Sequence, residues 1–182
     1  MLFFKAHLFS FIEYRTPAIY HACTNLLMPL DNILRRFLRD IGVTELDALC
    51  HFNLAPLAVR RDIAMLGVIH RSVLGGGPPQ FSNHFKLEPF RDTGYATRLA
   101  GARHSRHLKE HRTPDSSELL KRSIFGLVAL YNMLPQSAVQ FDTVKDFQSN
   151  LQEIVLIRAI SGCDDWQDTL SPRVPLRHHP LR

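Results

Sequence analysis

The sequence predicts a mainly α protein: an irregular helical domain of four to six helices with a loop-rich middle and an extended C-terminal tail. Three observations predict it. Apolar residues recur at helical spacing, as in Leu30, Ile33, Leu34, Phe37, Leu38 and Ile41 at i, i+3, i+4, i+7, i+8 and i+11. Residues that start or stop helices stand at the ends of such stretches. Nowhere do alternating apolar residues add up to a sheet.

The apolar opening MLFFKAHLFSF is interrupted by Lys5 and His7, is followed at once by Glu13 and Arg15, and reads as helix, with no small-residue cleavage site behind a clean apolar run. The next helix is expected over Leu30 to Ile41, with Pro29 in its first turn and Gly42 as its stop. At 100° per residue, Arg35, Arg36 and Arg39 fall together on its outer face. A short helix is expected around Glu45 to His51, and Pro56 opens a long one that runs to Leu74 and ends at Gly75-Gly76-Gly77-Pro78-Pro79. There apolar residues nearly encircle the axis, so this helix is expected to be the spine of the core. The gap in its apolar surface is the line Arg60, Ala64, Gly67 and Arg71, where small residues would admit another backbone or a nucleic-acid strand. His70 lies within an apolar face and reads as a satisfied core histidine.

Beyond a short helix near Phe81 to Phe85, residues 75–117 carry scattered charge, glycine and proline. The triple glycine lacks a following Gly-Lys-Ser/Thr and a preceding strand pattern, so it is not a phosphate-binding loop. A buried helix is expected over Ser123 to Leu134, stopped by Pro135. A final helix is expected over Thr143 to Ser161, capped by Asp142-Thr143 and ending near Gly162. The expected organisation is therefore a helical region over 1–74, a basic connector over 75–117, a helical pair over 118–162 packing on the first region, and a tail over 163–182 anchored by Trp166 and trailing over the surface. Phe37, Ile63, Leu66, Leu127, Leu130, Phe147 and Leu151 are expected to share one core.

The 182 residues are 45% apolar and 21% charged, the balance of a folded globular chain and not of a disordered one. No stretch approaches the ~20 apolar residues of a membrane span, and no membrane partner is expected. Three widely separated cysteines indicate neither a disulfide framework nor a cysteine zinc module, and a reducing compartment follows as the simplest expectation. A net charge of +5 and a pI near 9.4, with ten histidines able to add more, favour an anionic partner. Arg98 to Arg122 holds seven Lys/Arg against three Asp/Glu, whereas Asp142 to Leu170 holds two against six, so a nucleic-acid surface is expected before residue 123.

Two constellations invite chemistry. Asp164-Asp165 resembles a metal-binding carboxylate pair in composition only: a polymerase pair needs a hairpin between strands and a third carboxylate from the palm, whereas this one follows a helix stop, precedes a proline-rich tail and reads as a solvated helix end. His104, His107 and His111 recur at i, i+3 and i+7 and, if helical, share a face suited to a divalent metal, to phosphate, or simply to solvent. Arg103, Arg106, Lys109 and Arg112 around them disfavour a cation and favour phosphate oxygens. No nucleophile elbow appears, so neither enzymatic activity nor a metal or cofactor is expected.

Phe11-Ile12-Glu13-Tyr14-Arg15-Thr16-Pro17-Ala18-Ile19-Tyr20-His21-Ala22, then Leu30-Asp31 with Arg35-Arg36-Phe37-Leu38, resemble the thumb region of non-LTR (LINE-type) retrotransposon reverse transcriptases. In the same order follow Phe52-Asn53-Leu54-Ala55-Pro56-Leu57, Arg60-Arg61-Asp62-Ile63-Ala64-Met65-Leu66, Lys121-Arg122-Ser123-Ile124-Phe125, Tyr131-Asn132-Met133-Leu134-Pro135 and Val144-Lys145-Asp146-Phe147-Gln148. The likeness spans roughly residues 8 to 182 and is nearest to element-derived reading frames of dinoflagellate algae. It implies that residues 1–74 are thumb-like and that the chain lacks both the catalytic Asp-Asp palm, which lies upstream in that family, and the Cys/His knuckle that some members carry near their C-terminus. The implied role is a non-catalytic grip on RNA template or RNA–DNA hybrid, beside the remainder of the reverse transcriptase if it is encoded upstream. Charge clustering nominates Arg35, Arg36, Arg39, Arg60, Arg71, Arg103, Arg106, Lys109, Lys121 and Arg122 for a surface without base specificity. A helical protein-interaction module with no nucleic-acid role is the alternative, and a histidine-based metal protein a remoter one.

Overall fold

Periodicity alone does not say how helices stack, and a computed structural model of the protein, which describes residues 3–88, 103–110 and 118–181, supplies that arrangement. The chain is mainly helical. A π-helical turn, Phe4–Phe9, runs straight into α1 (Ser10–Tyr14), and α2 (Thr16–Ile19) follows with Pro17 in its first turn. Then come α3 (Thr24–Asp40), α4 (Glu45–Phe52) and α5 (Leu57–Val73), with a 3-10 turn over Pro79–Asn83. After it come α6 (Glu118–Lys121), α7 (Gly126–Met133), α8 (Gln136–Val139) and α9 (Val144–Ile160), with 3-10 turns at Trp166–Asp168 and Leu176–His178. Among the described residues, extended pairing is limited to a single antiparallel bridge between Leu87 and Leu108.

The ends of the long helices follow from side-chain chemistry. Thr44 and Thr143 each use the hydroxyl oxygen to accept from the backbone N–H three residues on, at 3.1 Å from Asp47 and 3.0 Å from Asp146, which satisfies an orphan donor of α4 and of α9. At the other end of α3, Gly42 takes φ +69° so that the Val43 N–H turns back to the Leu38 carbonyl at 2.9 Å. Asn53 does the same for α4 at φ 52°, a conformation its short polar side chain tolerates.

The first departure from expectation is at α3. The helix begins at Thr24, six residues before Leu30, and Pro29 lies inside it. Proline there forfeits one backbone hydrogen bond and crowds the preceding turn. That turn is nonetheless held by Leu27, which is buried, so packing overrides the local break.

Two apolar clusters form where one core was expected. Phe4, Phe9, Ile12, Leu34, Leu38, Ala48, Leu54 and Leu57 make the smaller, between the N-terminal segment, α3, α4 and the start of α5. The larger joins α5, α7 and α9 through Ile63, Leu66, Ile69, Leu127, Leu130, Phe147, Leu151 and Val155. α5 feeds both clusters, which is why its sequence is apolar nearly all round. Each fully buried Leu, Phe or Val stabilises by ~1.5–3 kcal/mol relative to exposure, so the second cluster outweighs the first by its size. Phe37 is only half-buried: its ring lies flat against Phe4, centroids 3.9 Å apart, at the rim of the smaller cluster.

The small-residue line on α5 is closed by α9. A Cβ at Gly67 would stand 2.3 Å from Nε2 of Gln148, so no room remains there for a nucleic-acid strand. The tail, too, is not loose on the surface. Thr169, Leu170, Ser171 and His179 are buried, and the Arg173 guanidinium donates to the carbonyls of Tyr20 at 3.0 Å and Ala22 at 3.3 Å. Those carbonyls lie just beyond α2, where no helical partner takes them, so the tail's arginine satisfies what the N-terminal region leaves open.

Candidate nucleic-acid interface

An α-helix with one apolar stripe leaves its opposite face to solvent, and on α3 that face carries arginine. Leu27, Leu34 and Leu38 are buried while Arg35, Arg36 and Arg39 are exposed. Arg35 has partners: its Nε donates to Glu45 Oε1 at 3.2 Å and its Nη1 lies 3.4 Å from Asn32 Oδ1. Both contacts are solvent-exposed and therefore weak. Among the described residues, no hydrogen bond or ion pair engages the side chains of Arg36 and Arg39.

The other nominated cations mostly serve the fold. Arg60 donates to the Glu13 carboxylate and lies 5.0 Å from the Phe9 ring centroid, tying α5 to the N-terminal segment. Arg71 donates to the Gly76 carbonyl at 2.8 Å, closing the end of its own helix. Arg106 reaches the carbonyls of Val139 and Phe141, both at 2.6 Å, and Asp142 at 2.7 Å, and so fastens the 103–110 segment to the α8–α9 junction. Arg103 is 3.8 Å from Glu88. Lys109 is exposed; Lys121 is exposed and Arg122 half-buried, and these last two have interactions of their own.

The histidine stretch is not a helix over residues 103–110. It is a turn followed by the bridge to Leu87, with the Glu88 N–H on the His107 carbonyl at 2.8 Å. His104 and His107 come within 5.8 Å, centroid to centroid, but His104 is buried with Nε2 3.0 Å from the Tyr131 carbonyl. His111 lies outside the described residues. Arg103, His104, Ser105, His107 and Glu88 line a shallow cavity of about 190 Å³. Among the described residues no cluster of His, Cys, Asp and Glu has the arrangement to hold a metal ion.

Histidine adds less positive charge than its count suggests. Burial holds His70, His104, His107 and His179 below the ordinary imidazole pKa, which keeps them neutral at pH 7. His70 is the satisfied core histidine expected: Nδ1 is 2.9 Å from the Tyr131 hydroxyl, Nε2 is 2.8 Å from the Phe141 carbonyl, and the ring stacks on Phe147 at 4.0 Å. Asp164 and Asp165 are exposed beyond the end of α9, where Asp165 accepts from Arg158 at 2.9 Å.

One surface feature escaped the reading of the sequence. Phe3, Phe11 and Tyr14 are 75%, 58% and 88% exposed, and the Arg15 guanidinium lies 3.8 Å above the Phe11 ring. Their spacing is visible in the sequence, but an apolar opening reads as a buried face unless packing shows which side turns inward. No family model, no curated protein and no solved structure matches the chain.

Proposed function

We propose that this chain is a non-catalytic helical domain that grips RNA template or an RNA–DNA hybrid, corresponding to the thumb and following region of a LINE-type reverse transcriptase without its palm. The observation that supports it is the outer face of α3, where Arg35, Arg36 and Arg39 stand exposed over a buried Leu27–Leu34–Leu38 stripe. Guanidinium groups without a strong internal partner are available to phosphate oxygens. Such contacts bind a polyanion by releasing condensed counterions, independently of sequence.

The test is the salt dependence of RNA binding, followed by anisotropy of a labelled strand. Replacing Arg35, Arg36 and Arg39 together by Ala is expected to weaken binding to all RNA sequences alike and to lower the log–log salt slope by up to about 2, at ~0.7 per lost contact to single strands. The helix should persist, since Ala favours it and the buried stripe is untouched. Absence of RNA binding by the wild-type chain at low salt would remove the reading.

A second reading has its own observation. Ile157 and Ile160 are 57% and 67% exposed one turn apart on α9, an apolar pair suited to a protein partner. Under this reading Ile157→Lys with Ile160→Lys abolishes an association that the arginine substitutions leave intact.

A further inference from the structure

The N-terminal helical segment turns one row of side chains inward and an aromatic row outward. Phe4, Phe9, Ile12 and Thr16 are buried. The π turn over Phe4–Phe9 makes this possible, because its wider winding lets Phe4 and Phe9, five residues apart, both face in, with ring centroids 5.6 Å apart. Opposite them stand Phe3, His7, Phe11 and Tyr14, at i, i+4, i+8 and i+11, all exposed. Phe3 and His7 lie against each other at 4.4 Å between centroids.

Resting on the reading above, we propose that this row is a stacking platform for unpaired RNA bases, with Phe3, Phe11 and Tyr14 taking bases and Arg15 taking phosphate.

Charge decides between this occupant and an apolar protein surface. The only carboxylate in the segment is Glu13, and it is taken by Arg60, so the segment itself presents no unpaired anion to a phosphate backbone. Arg15 lies on the Phe11 ring, where a guanidinium both extends the stacking surface and offers donors to a phosphate. The segment is also fixed to the arginine helix: Phe4 stacks on Phe37, the neighbour of Arg36, with 8° between the ring planes. Aromatic rings supply affinity for every base, since every base has a π face, while cations carry the backbone.

The experiment compares two labelled strands of equal charge, an oligoadenylate of about twelve nucleotides and an abasic ribose-phosphate strand of the same length. The wild-type chain should prefer the base-bearing strand by at least about tenfold. Phe3→Ala with Phe11→Ala and Tyr14→Ala should abolish that preference without altering the salt slope, the converse of the α3 arginine substitutions. Phe11→Tyr and Tyr14→Phe, which keep the rings, should retain the preference and serve as the control for folding. Equal binding of both strands by the wild type, or a preference that survives loss of the three rings, overturns the platform and leaves the grip on phosphates standing. Ring-dependent flotation with phosphatidylserine vesicles, without any preference for bases, overturns it in favour of a membrane surface. Binding of neither strand at low salt overturns the platform and the proposed function together.

Discussion

The hydroxyl of Tyr20 donates to Asp62 Oδ1 at 2.6 Å inside the protein, joining the residue after α2 to the middle of α5. The same tyrosine's carbonyl accepts from Arg173, so three regions distant in sequence meet at one buried polar site. Burial raises Asp62 to a pKa of about 7, against the hydrogen bond from Tyr20 and the positive charges of Arg173 and Arg61, which lower it; Asp168 adds a small raise. Burial likewise pushes the Tyr20 hydroxyl well above the ordinary value, so it remains a donor.

Stability should therefore fall as pH rises from about 4 to about 7 at this site. In that window the folded chain holds a proton on Asp62 that the unfolded chain, titrating near 3.8, has released. The contribution is full below the unfolded value, is lost as pH rises through about 7, and is then constant. Urea unfolding of wild type and Asp62→Asn across pH 4 to 8 measures it. The difference between the two should change by on the order of a few kcal/mol, and a pH-independent difference would count against a buried, proton-holding Asp62.

Arg61 and Asp31 form a two-pronged pair, with Nη1 to Oδ1 at 2.7 Å and Nη2 to Oδ2 at 3.0 Å. Arg61 is buried and Asp31 half-buried, hence Arg61→Ala leaves a partly solvated carboxylate without its partner and should cost about 3 kcal/mol, the lower end for a buried pair, in denaturant unfolding. Arg61→Met combined with Asp31→Leu should recover most of that, because apolar groups of similar volume need no partner. A double variant as unstable as the single would contradict this account.

Two glycines should respond oppositely to alanine. At Gly67 the new Cβ meets the far end of Gln148, which can swing away at the cost of a 3.5 Å contact to the Ile63 carbonyl, while the helix gains ~1 kcal/mol of propensity. Gly67→Ala is expected to be within about 1 kcal/mol of wild type. At Gly126 the Cβ would stand 2.1 Å from the Lys121 carbonyl oxygen, a backbone atom that cannot yield without shifting α6 against α7. Gly126→Ala should cost several kcal/mol, on the order of a strong overpacking penalty, and thermal melts of the two variants distinguish the cases.

His70→Leu keeps an apolar side chain in the core but strands the buried Tyr131 hydroxyl; the Phe141 carbonyl retains Arg106. One unpaired buried hydroxyl costs ~1–3 kcal/mol. Adding Tyr131→Phe to His70→Leu removes that hydroxyl and should restore part of the loss. If the double variant unfolds as readily as the single, the stacking of His70 on Phe147, and not its hydrogen bonds, dominates.

The sequence by itself determined the mainly α class, the five longer helices to within a few residues apart from the start of α3, and the core role of His70. These follow from information local to the chain: apolar spacing, a threonine that can cap, a glycine that can turn left-handed. Only the tertiary structure decided that Pro29 sits inside a helix, that α9 fills the Gly67 groove, and that Phe37 stands at a cluster rim. The same holds for most nominated cations. Nothing local marks Arg106 as a brace for three groups or Arg173 as the tie between tail and N-terminus, whereas Arg36 and Arg39 look out to solvent. An arginine's role depends on which carbonyls and carboxylates the fold brings within about 3 Å of its donors, and those partners lie tens of residues away along the chain.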